Sequence, residues 1–131
     1  MNFIWKEEYS VNVKQLDDQH KFFLGIMDKC YGAMQEKTEI RKIIGELIDY
    51  AELHFKTEEK YFDEFHYSEA PEHKRAHQEL RDKIKLIISK DEIDPTQLAL
   101  ELLDFLEDWL VDHLANVDKK YSRCFNEHGL Y

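Results

Sequence analysis

Residues 39–65 read EIRKIIGELIDYAELHFKTEEKYFDEF. Within them Ile40, Ile43, Ile44, Leu47, Ala51, Phe55, Phe62 and Phe65 recur at helical steps, with Glu and Lys on the other faces. That is the pattern of a long amphipathic α-helix with one buried side. The same inward line carries two polar residues. Leu47, Ala51, His54 and Glu58 follow three- and four-residue steps, so His54 and Glu58 lie one above the other on the buried face. An imidazole and a carboxylate are thereby sent into the core.

Three further helices are expected around this one. The first, about residues 18–37, follows the potential caps Asp17 and Asp18 and carries Phe22, Phe23, Ile26, Met27, Cys30, Tyr31 and Met34. After a break at His66–Ala70, Pro71 suits the first turn of a third helix over about 71–90, with Ala76, Leu80, Ile84, Ile87 and Ile88 inward. Asp94, Pro95 and Gln97 resemble a capping box opening a fourth helix over about 95–118, whose buried face holds Leu98, Leu102, Phe105, Leu106, Trp109, Leu110 and Val117. Four long helices on short loops predict an all-α fold, an antiparallel up-down-up-down four-helix bundle. Residues 1–16 read as an arm laid over the bundle, and residues 119–131 as a short helical tail stopped near Gly129. Four glycines and two prolines offer few turns for an all-β domain.

With 131 residues, a single domain spanning 1–131 can bury a core without disulfide staples. Cys30 and Cys124 form no CxxC pair and suggest neither a redox motif nor a structural zinc site. Charged residues make up 35% and the net charge is −10, which disfavours nucleic acid and anionic lipid as partners. No apolar run is long enough for membrane insertion, and the opening MNFIWKEEYS lacks the charged-then-apolar order of a leader, so a cytoplasmic protein is expected. The acidic surface and the want of an obvious exposed apolar stripe lead to the expectation of a monomer.

The other helices also send potential ligands inward. His73 and His77 are four apart and in line with Leu80 and Ile84; His20 precedes Met27 by one heptad; His113 follows Trp109 by four. Asp118, five residues after His113, stands roughly 140° around a regular helix from it. Either both flank one wide inward face, the preferred reading, or a local i→i+5 widening brings them together. In an antiparallel bundle the early parts of the first and third helices meet the late parts of the second and fourth, so all seven residues fall at one depth. Burying that many ionisable groups without a cation would cost roughly several kcal/mol each. His66 in the break and His128 in the tail read as solvent-facing.

Seven ligands are too many for one ion. Two octahedral ions offer twelve positions, of which five histidines, two bridging carboxylates and one bridging hydroxide leave a single vacancy. Imidazole and carboxylate suit ferrous iron, though imidazole also suits zinc and copper.

The blocks LDDQHKFFLGIMD, HFKTEE, HKRAH and WLVDHLANVD, which hold the seven residues, resemble the hemerythrins, and the likeness extends over nearly the whole chain. The resemblance implies two iron ions joined by an oxo or hydroxo bridge, Fe2+ in the deoxy state and Fe3+ when oxidised. It implies His73, His77 and His113 on one iron, His20 and His54 on the other with its open position, and Glu58 and Asp118 bridging. It implies reversible dioxygen binding for storage, transport or delivery to an oxygen-consuming enzyme, with Trp109 and Leu110 walling the oxygen pocket and no catalytic residue. Other readings of the same ligands are a di-iron oxidase or peroxidase, an oxygen or redox sensor acting through a partner, and handling of nitric oxide. Oxygen-activating bundles usually offer four carboxylates and Glu-x-x-His pairs, and no histidine here has a Glu three residues before it.

Overall fold

In the computed structural model, residues 3–34, 37–90 and 94–131 are described, those at 37 and 38 by backbone alone. Four helices form an antiparallel four-helix bundle, α1 (Lys14–Gly32), α2 (Lys37–Glu64), α3 (Ala70–Ile88) and α4 (Pro95–Asp112), and a short α5 (Ser122–Glu127) closes one end. No strand is present among the described residues, and no helix there is long and apolar enough to cross a membrane.

Several boundaries differ from the sequence expectation, each for a local reason. α1 begins at Lys14 rather than near 18, because Val13 is already the extended residue before the first turn (φ −134°, ψ 109°). Asp17 and Asp18 therefore sit inside the helix and cap nothing. Asp17 instead accepts hydrogen bonds from the Ser10 hydroxyl (2.6 Å) and the Val11 N–H (2.9 Å), tying the arm to α1. α1 ends at Gly32, and its expected continuation to 37 runs through Gln35 and Glu36, outside the described residues. α3 stops at Ile88, short of 90. α4 opens as expected, with Asp94 accepting from the Thr96 N–H at 3.1 Å and Pro95 in the first turn.

Two apolar clusters fill the bundle. The larger includes Phe23, Met27, Leu47, Ala51, Phe55, Leu80, Leu106 and Leu110; the smaller joins Val11, Val13 and Leu16 of the arm and α1 to Phe62, Tyr67, Tyr121 and Phe125. Arm and tail are thus core material. Along every helix the polar residues of interest fall between members of the two clusters: His20 between Leu16 and Phe23, Glu58 between Phe55 and Phe62, His77 before Leu80, Asp118 between Leu114 and Tyr121.

The expectation that Phe22 joins Phe23 on the buried face is not met. Neighbours on a helix diverge by about 100°, so only one of them can point inward. Phe23 does, and Phe22 remains 59% exposed. With Gly25, Ile26, Tyr50 and Leu53 it lines an apolar groove between α1 and α2. An exposed apolar surface therefore exists where none was evident from sequence.

Candidate metal centre

Each helix delivers its polar residues by the spacing already described, except at Asp118. From His113 to Val117 the backbone widens into a π-helical turn, and the Asp118 N–H donates to the His113 carbonyl, an i→i+5 bond. The wide-face reading is corrected accordingly. A π turn takes an extra residue per turn, so Asp118 comes to lie over His113 rather than beside it. Its Oδ1 stands 2.8 Å from His113 Nε2.

His20, His54, Glu58, His73, His77, His113 and Asp118 all come together, none more than 7% exposed. Asp118 Oδ1 and Oδ2 lie 2.9 Å from His73 Nε2 and 3.2 Å from His20 Nε2 respectively. Glu58 Oε1 lies 3.1 Å from His77 Nε2 and 3.3 Å from His54 Nε2. The ligand atoms form two overlapping groups, each within 4.8 Å of one another: Glu58, His73, His77, His113 and Asp118, and His20, His54, Glu58 and Asp118. Only the two carboxylates belong to both.

These atoms lack what buried polar atoms normally have. Glu58 Oε1, His77 Nε2 and both Asp118 oxygens have no hydrogen-bond partner in the protein. His20 Nε2 faces His54 Nε2 at 2.8 Å, and His73 Nε2 faces His113 Nε2 at 3.1 Å. Convergent lone pairs of nitrogen and oxygen in a closed pocket fit cations of the first transition series. The protonation states agree. Burial would raise both carboxyls, and the Asp118 charge would raise Glu58 further, yet the surrounding imidazoles prevail and hold both well below the usual carboxylate range. Burial, then His54, pushes His20 down towards the neutral form that a ligand needs. At His77 burial works downward too, but Glu58 and Glu59 outweigh it and lift the imidazole to about 9, so a cation entering must displace that proton.

A layer of supporting residues, not singled out from sequence, orients these ligands. The Gln19 amide oxygen accepts from His54 Nδ1 at 2.7 Å. Its orientation is forced: the Thr57 hydroxyl donates to the Leu53 carbonyl (2.9 Å) and so can only accept from the Gln19 amide nitrogen (3.3 Å). His54 Nδ1 therefore carries the proton, and Nε2 offers its lone pair to the centre. Glu59 Oε2 accepts from His77 Nδ1 at 2.8 Å and keeps the proton there, so the proton an entering cation displaces is the one on Nε2. Tyr121, fully buried, donates to Glu58 Oε2 at 2.6 Å. Rings clamp the imidazoles: Phe55 stacks on His77 at 4.0 Å and Trp109 on His113 at 4.1 Å. Gln19 and Glu59 adjoin His20 and Glu58 in the chain, a signal sequence reading could have used. Tyr121 stands in the irregular tail, where no periodicity pointed to it.

Beside the centre lies a cavity of about 20 Å³, lined by His20, His54, His113 and Asp118 on one side and by Phe23, Leu106, Trp109, Leu110 and other apolar groups on the rest. That volume holds one small molecule, and its hydrocarbon walls offer water few partners. Trp109 and Leu110 both face it, and of the histidines it touches His20, His54 and His113 but not His73 or His77. His66 and His128 are exposed and outside the cluster; His128 stacks on Phe65 at 4.7 Å.

Comparison with known proteins gives a consistent picture. The family model described as the hemerythrin HHE cation binding domain matches residues 11–124. A bacteriohemerythrin of Methylococcus capsulatus is 32% identical over 121 residues, covering 91% of this chain and 92% of the relative. A myohemerythrin of Sipunculus nudus is likewise 32% identical over 121 residues, covering 92% and 91%. The crystal structure of a wild-type hemerythrin superposes with a TM-score of 0.81 at 31% identity, covering 92% of this chain and 95% of that one.

Proposed function

This chain belongs to the hemerythrin family, and on that footing we propose that it binds dioxygen reversibly at a pair of iron ions. The observation that carries the proposal is the pair of overlapping ligand groups with only Glu58 and Asp118 in common. His73, His77 and His113 would hold one iron, His20 and His54 the other, and the two carboxylates would bridge. When bound, the iron pair supplies the two electrons that dioxygen accepts and gives back.

The chain's own residues make that exchange reversible. Gln19 and Glu59 aim imidazole lone pairs inward, and Tyr121 holds Glu58 in place. Phe23, Leu106, Trp109 and Leu110 keep the cavity dry, so that protons and reductants that would carry the reaction further are excluded. The cavity adjoins both His20 and His54 but only His113 of the other three histidines, which supports the reading that the open position would be at the two-histidine iron. A role in storing oxygen or handing it to an oxygen-consuming enzyme follows from reversibility.

To test this, the iron-loaded protein is reduced without air, exposed to oxygen, and then stripped with inert gas while the visible spectrum is recorded. A band that appears with oxygen and vanishes on stripping, over repeated cycles, is expected. Continuous oxygen consumption in the presence of a reductant, or an oxidised state that does not return, would instead identify an oxidase.

A further inference from the structure

His20 and His54 of one proposed metal position and His77 of the other are backed by different kinds of group. His54 Nδ1 meets the amide oxygen of Gln19, a neutral acceptor locked by Thr57. His20 Nδ1 is buried and has no hydrogen-bond partner in the protein. His77 Nδ1 instead meets a carboxylate, Glu59 Oε2. That carboxylate also accepts from Arg81 at 3.4 Å, and Arg81 is anchored by two further bonds to Glu52, at 2.8 and 3.1 Å. Glu59 is only partly buried, so its charge is not imposed by the metal cluster; it belongs to an ion chain running outward along α2 and α3.

A carboxylate accepting from the far nitrogen of a ligating imidazole makes that imidazole a stronger donor, whereas an amide does so weakly and an absent partner not at all. We propose that Glu59 and Gln19 act as an unequal pair of positioning residues that make the two iron positions electronically different, the negative charge of Glu59 favouring the ferric state at the three-histidine position and the neutral Gln19 leaving the open position poorer in electrons. This rests on the di-iron reading above. Gln19 and Glu59 thereby set the reduction potential of the pair, and with it how tightly dioxygen is held, without touching dioxygen.

Charge and geometry separate cleanly in substitutions at these two sites. Glu59→Gln retains an oxygen that accepts from His77 but removes the charge, and Gln19→Glu retains the acceptor for His54 but adds one; Glu59→Ala removes both features. The reduction potential of each iron-loaded protein is measured by anaerobic titration, and the affinity of each metal-free protein for Zn2+ by competition with a chelator. Glu59→Gln is expected to raise the potential and weaken Zn2+ binding on the order of tenfold. Gln19→Glu is expected to lower the potential and tighten Zn2+ binding. If Glu59→Gln matches the wild type while Glu59→Ala does not, the role is geometric and the proposal falls. Shifts of the same sign in Glu59→Gln and Gln19→Glu overturn it as well. A wild type that holds iron and releases oxygen reversibly, with variants of equal potential, sinks this inference alone; a wild type that holds no iron sinks it together with the proposed function.

Discussion

Leu110 places a branched hydrocarbon side chain between the internal cavity and a neighbouring cleft. It is 7% exposed and borders both the internal cavity and a second cleft under the arm residues Phe3, Ile4 and Tyr9. Leu110→Ala therefore opens the cavity to water. Autoxidation of the oxygenated protein should accelerate, and stability should fall by about 2–5 kcal/mol, the usual range for such a truncation. Equal autoxidation rates in wild type and variant would remove Leu110 from the cavity wall. His66 serves as the matched control, but not as His66→Ala: its φ is +53°, a conformation that Asn tolerates and Ala does not. His66→Asn should leave the spectrum unchanged. Tyr121→Phe removes the one donor to Glu58 Oε2 while keeping the ring that packs between Phe62 and Phe125. Hydrogen bonds to charged groups contribute about 1.5–3 kcal/mol, so urea unfolding of the metal-free protein should shift by that amount and iron should leave faster to a chelator. Unchanged iron release would mean that Glu58 is held by the imidazoles alone.

Among the elements, the π turn at 113–117 is the one whose geometry the site cannot do without. It makes a five-residue spacing serve as one turn, and so lets the segment after α4 present both the His113 imidazole and the Asp118 carboxylate to the site. Inserting one alanine after Ala115 should rotate Asp118 by about 100° away from His113. Iron content per chain should drop while far-UV helicity is retained; a fully loaded insertion variant would show that Asp118 is dispensable. Sequence spacing alone favoured the wide helical face over the π turn that forms, because the two geometries use the same residue types. The difference lies in a single backbone hydrogen bond, from Asp118 N–H to the His113 carbonyl.

At the scale of the whole molecule, metal and fold are linked through His77. In the metal-free protein its value is lifted to about 9, above the ordinary value of about 6.5, so the folded state holds this proton more tightly than the unfolded chain. The resulting stability is complete below about 6.5 and is lost as pH rises through about 9. In the iron-loaded protein Nε2 would be taken by the metal, the folded state could not accept the proton, and the sign would reverse: stability would be present above about 6.5 and lost on acidification, together with the iron. Melting temperatures of both forms between pH 5 and pH 10 should therefore show an alkaline decline in the metal-free protein that the loaded one lacks. Chelation at pH 7 should lower the melting temperature, since metal binding energy is also folding energy. Superimposable pH profiles with and without iron would break the linkage.

The helical periodicity of 39–65 and its three counterparts was enough to establish four helices and the inward direction of His20, His54, Glu58, His73, His77 and His113, because facing is set by residue spacing and spacing is written in the chain. Clipped or extended ends, such as the start of α1 at Lys14, depend on single φ and ψ angles at Val13 and escape a periodic reading. Phe22 was misjudged because a stripe of apolar letters does not say which of two neighbours faces in: Phe23 lines the internal cavity, whereas Phe22 rests on Tyr50 at the surface. The pairings Gln19–His54, Glu59–His77 and Tyr121–Glu58, and the 20 Å³ cavity beside His20 and His54, join residues from different helices or from the tail. Such contacts exist only once the helices have set their depths against one another. Sequence thus determined which side chains can bind a cation, and tertiary structure decided which groups support them and where a small molecule fits.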